Sequence, residues 1–532
     1  MGERSKLDRV LLSLALALHA LAWWLGVRPV ALDPDAMNLA YGMARFDITH
    51  FNPHAPGYLV YIWTLRAVHA VTGGGEGLAA RFATVQLVAL LFSLAAIVVV
   101  YVAARRMRLP PGGAGWAAVV MALHPILVFH AVDGQTHTSE ALASALLLLG
   151  AVRYLELPGW RPAVVLGLLL AFGSALRPSF VVFGVPVICW TIGFRRLRDL
   201  VFAGFASLVG AFAWIAPTVS ASGGWEIWRA ATRGLVHHGF VLTSSPLSDT
   251  AVGALVRSNQ LSLGLWAFTV LFPLLVAWLV TMGDRRKEEA ATDDDSRARW
   301  LRGVLLIGGG LAVLYYAATF ISEPGYLAAL LPPVALSVGV LARGPRGSKA
   351  AFVAVLATVA CWALPLLPNV LKVPSVAEWR RRTDLPIAYV DHVTASLPET
   401  GRYLVLIAHP DITVGRQLPM LDPRIDTLLI HDGRRPWIAD SSLTYVTVED
   451  SVPIPEAFGD PGAGSSLSTP ERYAGIYFDG TLPAHFQAQV AERSTCPVRR
   501  IADITDAVLL PAKCLGAGAL SLDGLELRLG VR

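Results

Sequence analysis

Residues 33–58 read DPDAMNLAYGMARFDITHFNPHAPGY. The stretch lies between an apolar run at 11–32 and a second that begins near residue 82. Asp33 followed by Pro34 marks a helix start, because the carboxylate caps the first turn and proline suits the first helical position. Asp35 then falls in that first turn, where the helix dipole favours an anion. Further on, Asn52-Pro53-His54-Ala55-Pro56-Gly57-Tyr58 packs two prolines and a glycine into a rigid turn. An amphipathic helix follows over 58–71, with Leu59, Ile62, Trp63, Val68 and Val71 on offer to a membrane interface. The two aspartates, His50 and His54 therefore stand in a polar loop beside a membrane. This predicts the catalytic loop of an enzyme working at the membrane surface. The plainer reading is that Asp33 and Asp35 only cap a helix and that His54 is an exposed turn residue.

Composition sets the class. The chain has 532 residues, of which 54% are hydrophobic and 16% charged. Ordinary soluble domains carry about 25% charge, and the mean hydropathy here is +0.54. That much apolar surface requires a bilayer, so the chain reads as a polytopic α-helical membrane protein. Candidate spans are 11–32, 82–104, 114–131, 139–157, 162–176, 179–194, 199–219, 260–282, 301–320, 325–342 and 350–368. They amount to about eleven transmembrane helices at ~20 residues per crossing.

Basic residues set the orientation. Arg105, Arg106, Arg108, Arg195, Arg196, Arg198, Arg285, Arg286, Lys287, Arg343, Arg346 and Lys349 all fall in loops on the side of the N-terminus. That side is expected to be cytoplasmic. The other side then carries the first loop at 33–81, with Asp33, Asp35, His54 and Tyr58. It also holds Asp133, His137 and Glu140 at the second loop, Arg177 at the third, His237 and His238 in the fourth, and Glu323 and Tyr326 at the fifth. Residues 1–369 form the expected transmembrane domain, and 370–532 an extracytoplasmic α/β domain. In that tail, 375–395 reads as an amphipathic helix, and 403–407, 427–430, 443–448 and 474–478 as strands by their apolar and β-branched content. Cys496 and Cys514 lie there, where a disulfide would persist. Among the four cysteines no CxxC pair occurs, which argues against thiolate metal binding.

An acidic loop after the first span, a following helix, then His54-Ala55-Pro56-Gly57-Tyr58 resembles the GT-C membrane glycosyltransferases. The nearest pattern is the branch of protein O-mannosyltransferases and lipid A aminoarabinose transferases. Leu123-His124-Pro125 through Asp133 and Ser139-Glu140 is similar to that branch, as is 168–178 ending in Arg177-Pro178. Glu323-Pro324-Gly325-Tyr326 with 330–333 resembles its late segment.

The resemblance implies a sugar on a polyprenyl phosphate as donor, and a hydroxyl of a glycan, lipid or protein as acceptor. It implies transfer with inversion on the extracytoplasmic face, in the cell envelope. A mannosyltransferase-like site would bind the donor phosphate through Arg177, His54, Tyr58 and His237. It would bind substrate through Asp133, Glu140, Glu323 and Tyr326. The resemblance places the base at Asp33, with Asp35 assisting. The capping argument alone favours Asp35, whose carboxylate is freer. Asp-x-Asp spacing also suits a divalent metal held by oxygen ligands, so a metal on Asp33 and Asp35 stays open. Arg177 has a plainer reading too, as a cation reaching the headgroups.

No P-loop, Rossmann glycine pattern or nucleic-acid signature is present, which disfavours a nucleotide-sugar donor or a nucleic-acid partner. A transporter or lipid flippase is the alternative class. It would place ionisable groups at mid-membrane and repeat its halves, and no internal repeat is visible.

Overall fold

The computed structural model describes residues 2–31, 33–48, 52–239, 251–281, 293–318, 324–342 and 344–363, with nine strands and short pieces between 384 and 529. The helices run in chain order as α1 (Gly2–Gly26), α2 (Pro34–Ala44), α3 (Leu59–Val71), α4 (Leu78–Arg106), α5 (Gly113–Leu123), α6 (Pro125–Asp133), α7 (His137–Glu156) and α8 (Trp160–Leu176). There follow α9 (Val181–Ile192), α10 (Leu197–Ala221), α11 (Trp225–Gly239), α12 (Ala251–Thr281), α13 (Asp293–Gly303), α14 (Gly310–Ala318), α15 (Leu331–Leu341) and α16 (Gly344–Ala363). A π-helical segment, Val304–Gly309, joins α13 to α14, and a 3-10 helix, Pro324–Leu330, leads into α15.

The expected count of about eleven spans is not reached on length and apolarity alone. Among the described residues seven helices are long and apolar enough to cross a membrane, or eight if the bent pair α5 and α6 is one span. Pro125 cannot continue α5, so His124 turns extended and the axis bends by 51°. The expected spans at 162–176 and 179–194 are real helices, but α8 has 17 residues and α9 has 12. At 1.5 Å per residue, α9 reaches about 18 Å, well short of the ~30 Å hydrocarbon core.

Apolar helices gain little from burying leucine against leucine in lipid, so they associate by close approach at small residues. Gly113 and Gly339 show this. A Cβ on either would stand 2.6 Å from the other's carbonyl oxygen, so α5 and α15 meet backbone to backbone. Gly167 serves α8 and α10 likewise, since a Cβ there would lie 2.1 Å from the Ala203 carbonyl oxygen. The one histidine deep in α1, His19, is satisfied: Nδ1 donates to the Ala122 carbonyl at 2.7 Å and Nε2 meets the Ser93 hydroxyl at 2.7 Å.

The two ends of the bundle differ. At one end the first turns of α1 meet α4 and α5, with Asp8 accepting from the Gly115 N–H at 3.1 Å and standing 3.9 Å from Arg105. Arg106 pairs with Glu156 at 3.4 Å, and Arg297 donates to the Met107 carbonyl at 2.6 Å. The opposite end carries the loop after α1. There α2 and α3 bury Met37, Tyr41, Tyr61, Ile62 and Leu65 against Phe82 and Val85 of α4, as their apolar faces predict. Ile387 and Leu421 from the C-terminal region pack on this same cluster.

The C-terminal strands are β1 (Arg402–Ile407), β2 (Ile425–His431), β3 (Arg435–Ala439), β4 (Ser465–Ser468), β5 (Tyr473–Phe478), β6 (Arg499–Ile501), β7 (Ala507–Pro511), β8 (Gly518–Leu522) and β9 (Leu525–Leu529). Six form a mixed sheet in the order β3-β2-β1-β5-β7-β6, in which β1 lies parallel to both β2 and β5. The strands expected at 403–407, 427–430 and 474–478 are β1, β2 and β5. The strand expected at 443–448, most of the helix at 375–395, and Cys496 and Cys514 lie outside the described residues.

Candidate active site

A cleft at the loop end encloses about 290 Å³ of empty space, part of it open to solvent. Three separate segments line it. The first loop contributes Asp35, Leu39, Pro53, His54 and Tyr58; the turn between α6 and α7 contributes Gln135, Thr136 and His137; the end of α8 contributes Arg177.

Asp33 and Asp35 take different roles. Asp33 is the N-cap of α2, and its Oδ1 accepts the Asp35 backbone N–H at 2.8 Å. Asp35, in the first turn, shares a helix face with Leu39 four residues on, and both reach the cleft. Its Oδ1 accepts from the Asn38 amide at 3.3 Å, and its Oδ2 stands 3.0 Å from His54 Nε2. The other His54 nitrogen, Nδ1, lies 2.6 Å from the Ala55 carbonyl oxygen. A carbonyl only accepts, so Nδ1 carries the hydrogen and Nε2 is the nitrogen that meets Asp35. Burial opposes a charged His54, and Arg177 opposes it too. The Asp35 charge and hydrogen bond, with the Ala55 carbonyl, nonetheless hold its imidazole above the ordinary histidine value. Tyr58 meets the His54 ring edge-on at 5.0 Å between centroids and adopts a left-handed backbone, φ 41°. An aromatic residue rarely sits there, and such strain clusters at functional sites.

Arg177 follows α8 in extended backbone, ahead of Pro178. Its side chain is 7% exposed, with Nε 3.1 Å from Glu140 Oε2. One terminal nitrogen donates to the Thr136 hydroxyl, and the other stands 3.2 Å from His137 Nε2. The Tyr326 ring lies 4.7 Å below the guanidinium. Gly325 makes this possible, because a Cβ there would stand 2.1 Å from the His137 ring.

The remaining expected residues divide. Glu140 is fully buried beside Arg177 and Tyr326 backs the guanidinium; neither is among the cleft-lining residues. Asp133, also fully buried, accepts from the Gln135 amide at 3.0 Å and is not among them either. His237 falls on α11, but its side chain, like all of Glu323, lies outside the described residues. The lining residues Gln135 and Thr136 were missed. Their signal is the polar run Gln135-Thr136-His137-Thr138-Ser139 between two apolar helices. Among the described residues no three His, Cys, Asp or Glu side chains are grouped to hold a metal ion. No metal ligand is therefore assigned to Asp33 or Asp35.

Protein-family models scanned against the chain give no match, and neither do curated proteins. Among solved structures, it is similar to an oligosaccharyltransferase of Archaeoglobus fulgidus, solved tethered to an acceptor peptide containing the NVT sequon. The two are 10% identical with a TM-score of 0.38, over 79% of this chain and 63% of that one. This chain therefore spans less than two thirds of that protein's length.

Proposed function

We propose that the chain is a GT-C-type membrane glycosyltransferase that moves a sugar from a polyprenyl-phosphate donor to an acceptor hydroxyl. One observation carries the reading: Asp35 and Arg177, a carboxylate and a guanidinium from distant segments, face the same cleft. Glycosyl transfer from a phosphate needs this pair of chemistries on one substrate. Asp35 takes the proton of the acceptor hydroxyl as its oxygen attacks the anomeric carbon. The bond from that carbon to the phosphate oxygen breaks, the phosphate leaves with the electron pair, and the centre inverts. Arg177 stabilises the departing phosphate through charge-assisted hydrogen bonds. Tyr58 and His137 line the space between and orient the donor. The base in this reading is Asp35, because it is among the cleft-lining residues and Asp33, whose Oδ1 caps α2, is not.

The acceptor is a hydroxyl of a glycan, lipid or protein, and the lipid bilayer supplies the donor. The cleft lies at the end away from Arg105, Arg106 and Arg297, so it opens on the extracytoplasmic side. Residues 370–532 form a domain on that side. Purified protein in lipid nanodiscs, offered a panel of polyprenyl-phosphate sugars together with glycan, lipid and peptide acceptors, is expected to transfer at least one sugar and release polyprenyl phosphate. Release by the parent but not by Asp35→Asn or Arg177→Ala supports the reading. Sugar-independent lipid movement across the bilayer, with no release, would replace it with the flippase alternative.

A further inference from the structure

Arg177 is a permanently charged side chain of the cleft, yet its charge is already balanced from within the protein. Glu140 approaches Nε to 3.1 Å, and its side chain has no exposure at all. An arginine cannot lose its proton in a protein, so a guanidinium this buried needs a charged partner. Glu140 fills that role from the side away from the cleft, since Arg177 lines the cleft and Glu140 does not. His137 adds no charge. Arginine has only donors, so Nε2, 3.2 Å from the guanidinium, is an acceptor and the ring is neutral. The hydrogen then sits on Nδ1, 3.7 Å from Glu140 Oε2. Asp35 and His54 form a second balanced pair across the cleft. The fixed charge that a phosphate meets is therefore close to zero.

This matters because the two phosphates of the proposed reaction differ in charge. The donor is a phosphodiester with one negative charge, whereas the product is a monoester that carries about −1.5 to −2 near neutral pH. A bare buried arginine would hold the product more tightly than the donor. We propose that Glu140 is an internal counter-ion that prevents this, equalising the affinity of the cleft for phosphate monoester and diester so that the product leaves. The inference rests on the phosphate role of Arg177 given above. It makes Glu140 a residue that acts through Arg177 and not one that touches substrate.

The test is binding, without turnover. Full-length protein in nanodiscs of zwitterionic lipid is titrated with farnesyl phosphate, a monoester, and farnesyl methyl phosphate, its diester. The parent is expected to bind the two within a few-fold of each other. Glu140→Gln removes one negative charge and keeps the shape. It should tighten both, and the monoester on the order of tenfold more, since the Coulomb term scales with ligand charge. Glu140→Asp keeps the charge but draws it back from Arg177, so it is expected to shift the ratio the same way by about two- to threefold. It also serves if the amide variant does not fold. An unchanged monoester-to-diester ratio in the folded variants overturns the proposal. If Arg177→Gln binds both probes as the parent does, the phosphate reading fails and takes this inference with it. Binding that needs Arg177 but ignores Glu140 overturns the counter-ion alone.

Discussion

Asp35 Oδ2 stands 3.0 Å from His54 Nε2, nineteen positions along the chain, and that contact ties the start of α2 to the Pro-Gly turn. Asp33, two residues earlier, is tied to its own helix. The two aspartates should therefore respond differently to the same substitution. Asp35→Asn is expected to fold, insert and lose about 10²–10⁴-fold in transfer rate, the usual cost of a general base. Asp33→Asn should stay within a few-fold of the parent, because asparagine caps a helix about as well as aspartate. Single-turnover rates on matched amounts of inserted protein check this, and the reverse ranking would return the base to Asp33.

The same contact has a pH signature. His54 gains a partner on folding, and its value is raised above the ordinary one. A raised histidine stabilises the fold in full below about 6.5, and the contribution is lost as pH climbs through the raised value. The thermal stability difference between the parent and His54→Gln should thus be largest near about pH 6 and shrink toward about pH 9. Asp35 is half exposed, so the difference is expected to be small. A gap that grows with pH would contradict the pairing.

Arg177 and Glu140 should fail separately and recover together in stability, but not in activity. Arg177→Met strands a buried carboxylate, a change that costs about 3–5 kcal/mol when one partner of a buried pair is removed. Adding Glu140→Leu should restore most of that stability while transfer stays absent. Arg177→Lys should recover only part of the turnover, since an ammonium lacks the planar fork that reaches Thr136 and His137 together. Denaturation midpoints and rates across this set separate a structural ion pair from a phosphate holder.

Gly325→Ala introduces a methyl where His137 already sits, 2.1 Å from the built Cβ. The 3-10 turn is packed and the ring cannot yield cheaply, so overpacking should cost about 1–3 kcal/mol. Displacing His137 also moves a residue of the cleft wall. Donor KM is therefore expected to rise along with the loss of stability. An alanine variant with parental kinetics would show that His137 has room to move.

Orientation is testable in intact cells. A cysteine at Ser348, in the first turns of α16, should resist a membrane-impermeant thiol reagent. One at Ser465, in β4, should react. Labelling at the first site but not the second would invert the proposed topology.

The amino-acid sequence alone determined those features that depend on neighbours along the chain. Mean hydropathy is a local sum, so membrane class and most helices were readable, as were β1, β2 and β5. Asp33-Pro34 announced the start of α2 because capping involves only three or four consecutive residues. Tertiary structure decided whatever depends on direction. The cap at Asp33 was readable locally, but only packing brings Asp35, in the first turn, against His54 and into the cleft lining. The partners of Arg177 lie about forty positions away at Thr136 and His137, and no local pattern encodes that meeting. Glu140 shows the same limit. Its residue type and its place beside a loop suggested a substrate ligand, and only the packing of α7 against α8 shows that its carboxylate stands beside Arg177 and outside the cleft lining.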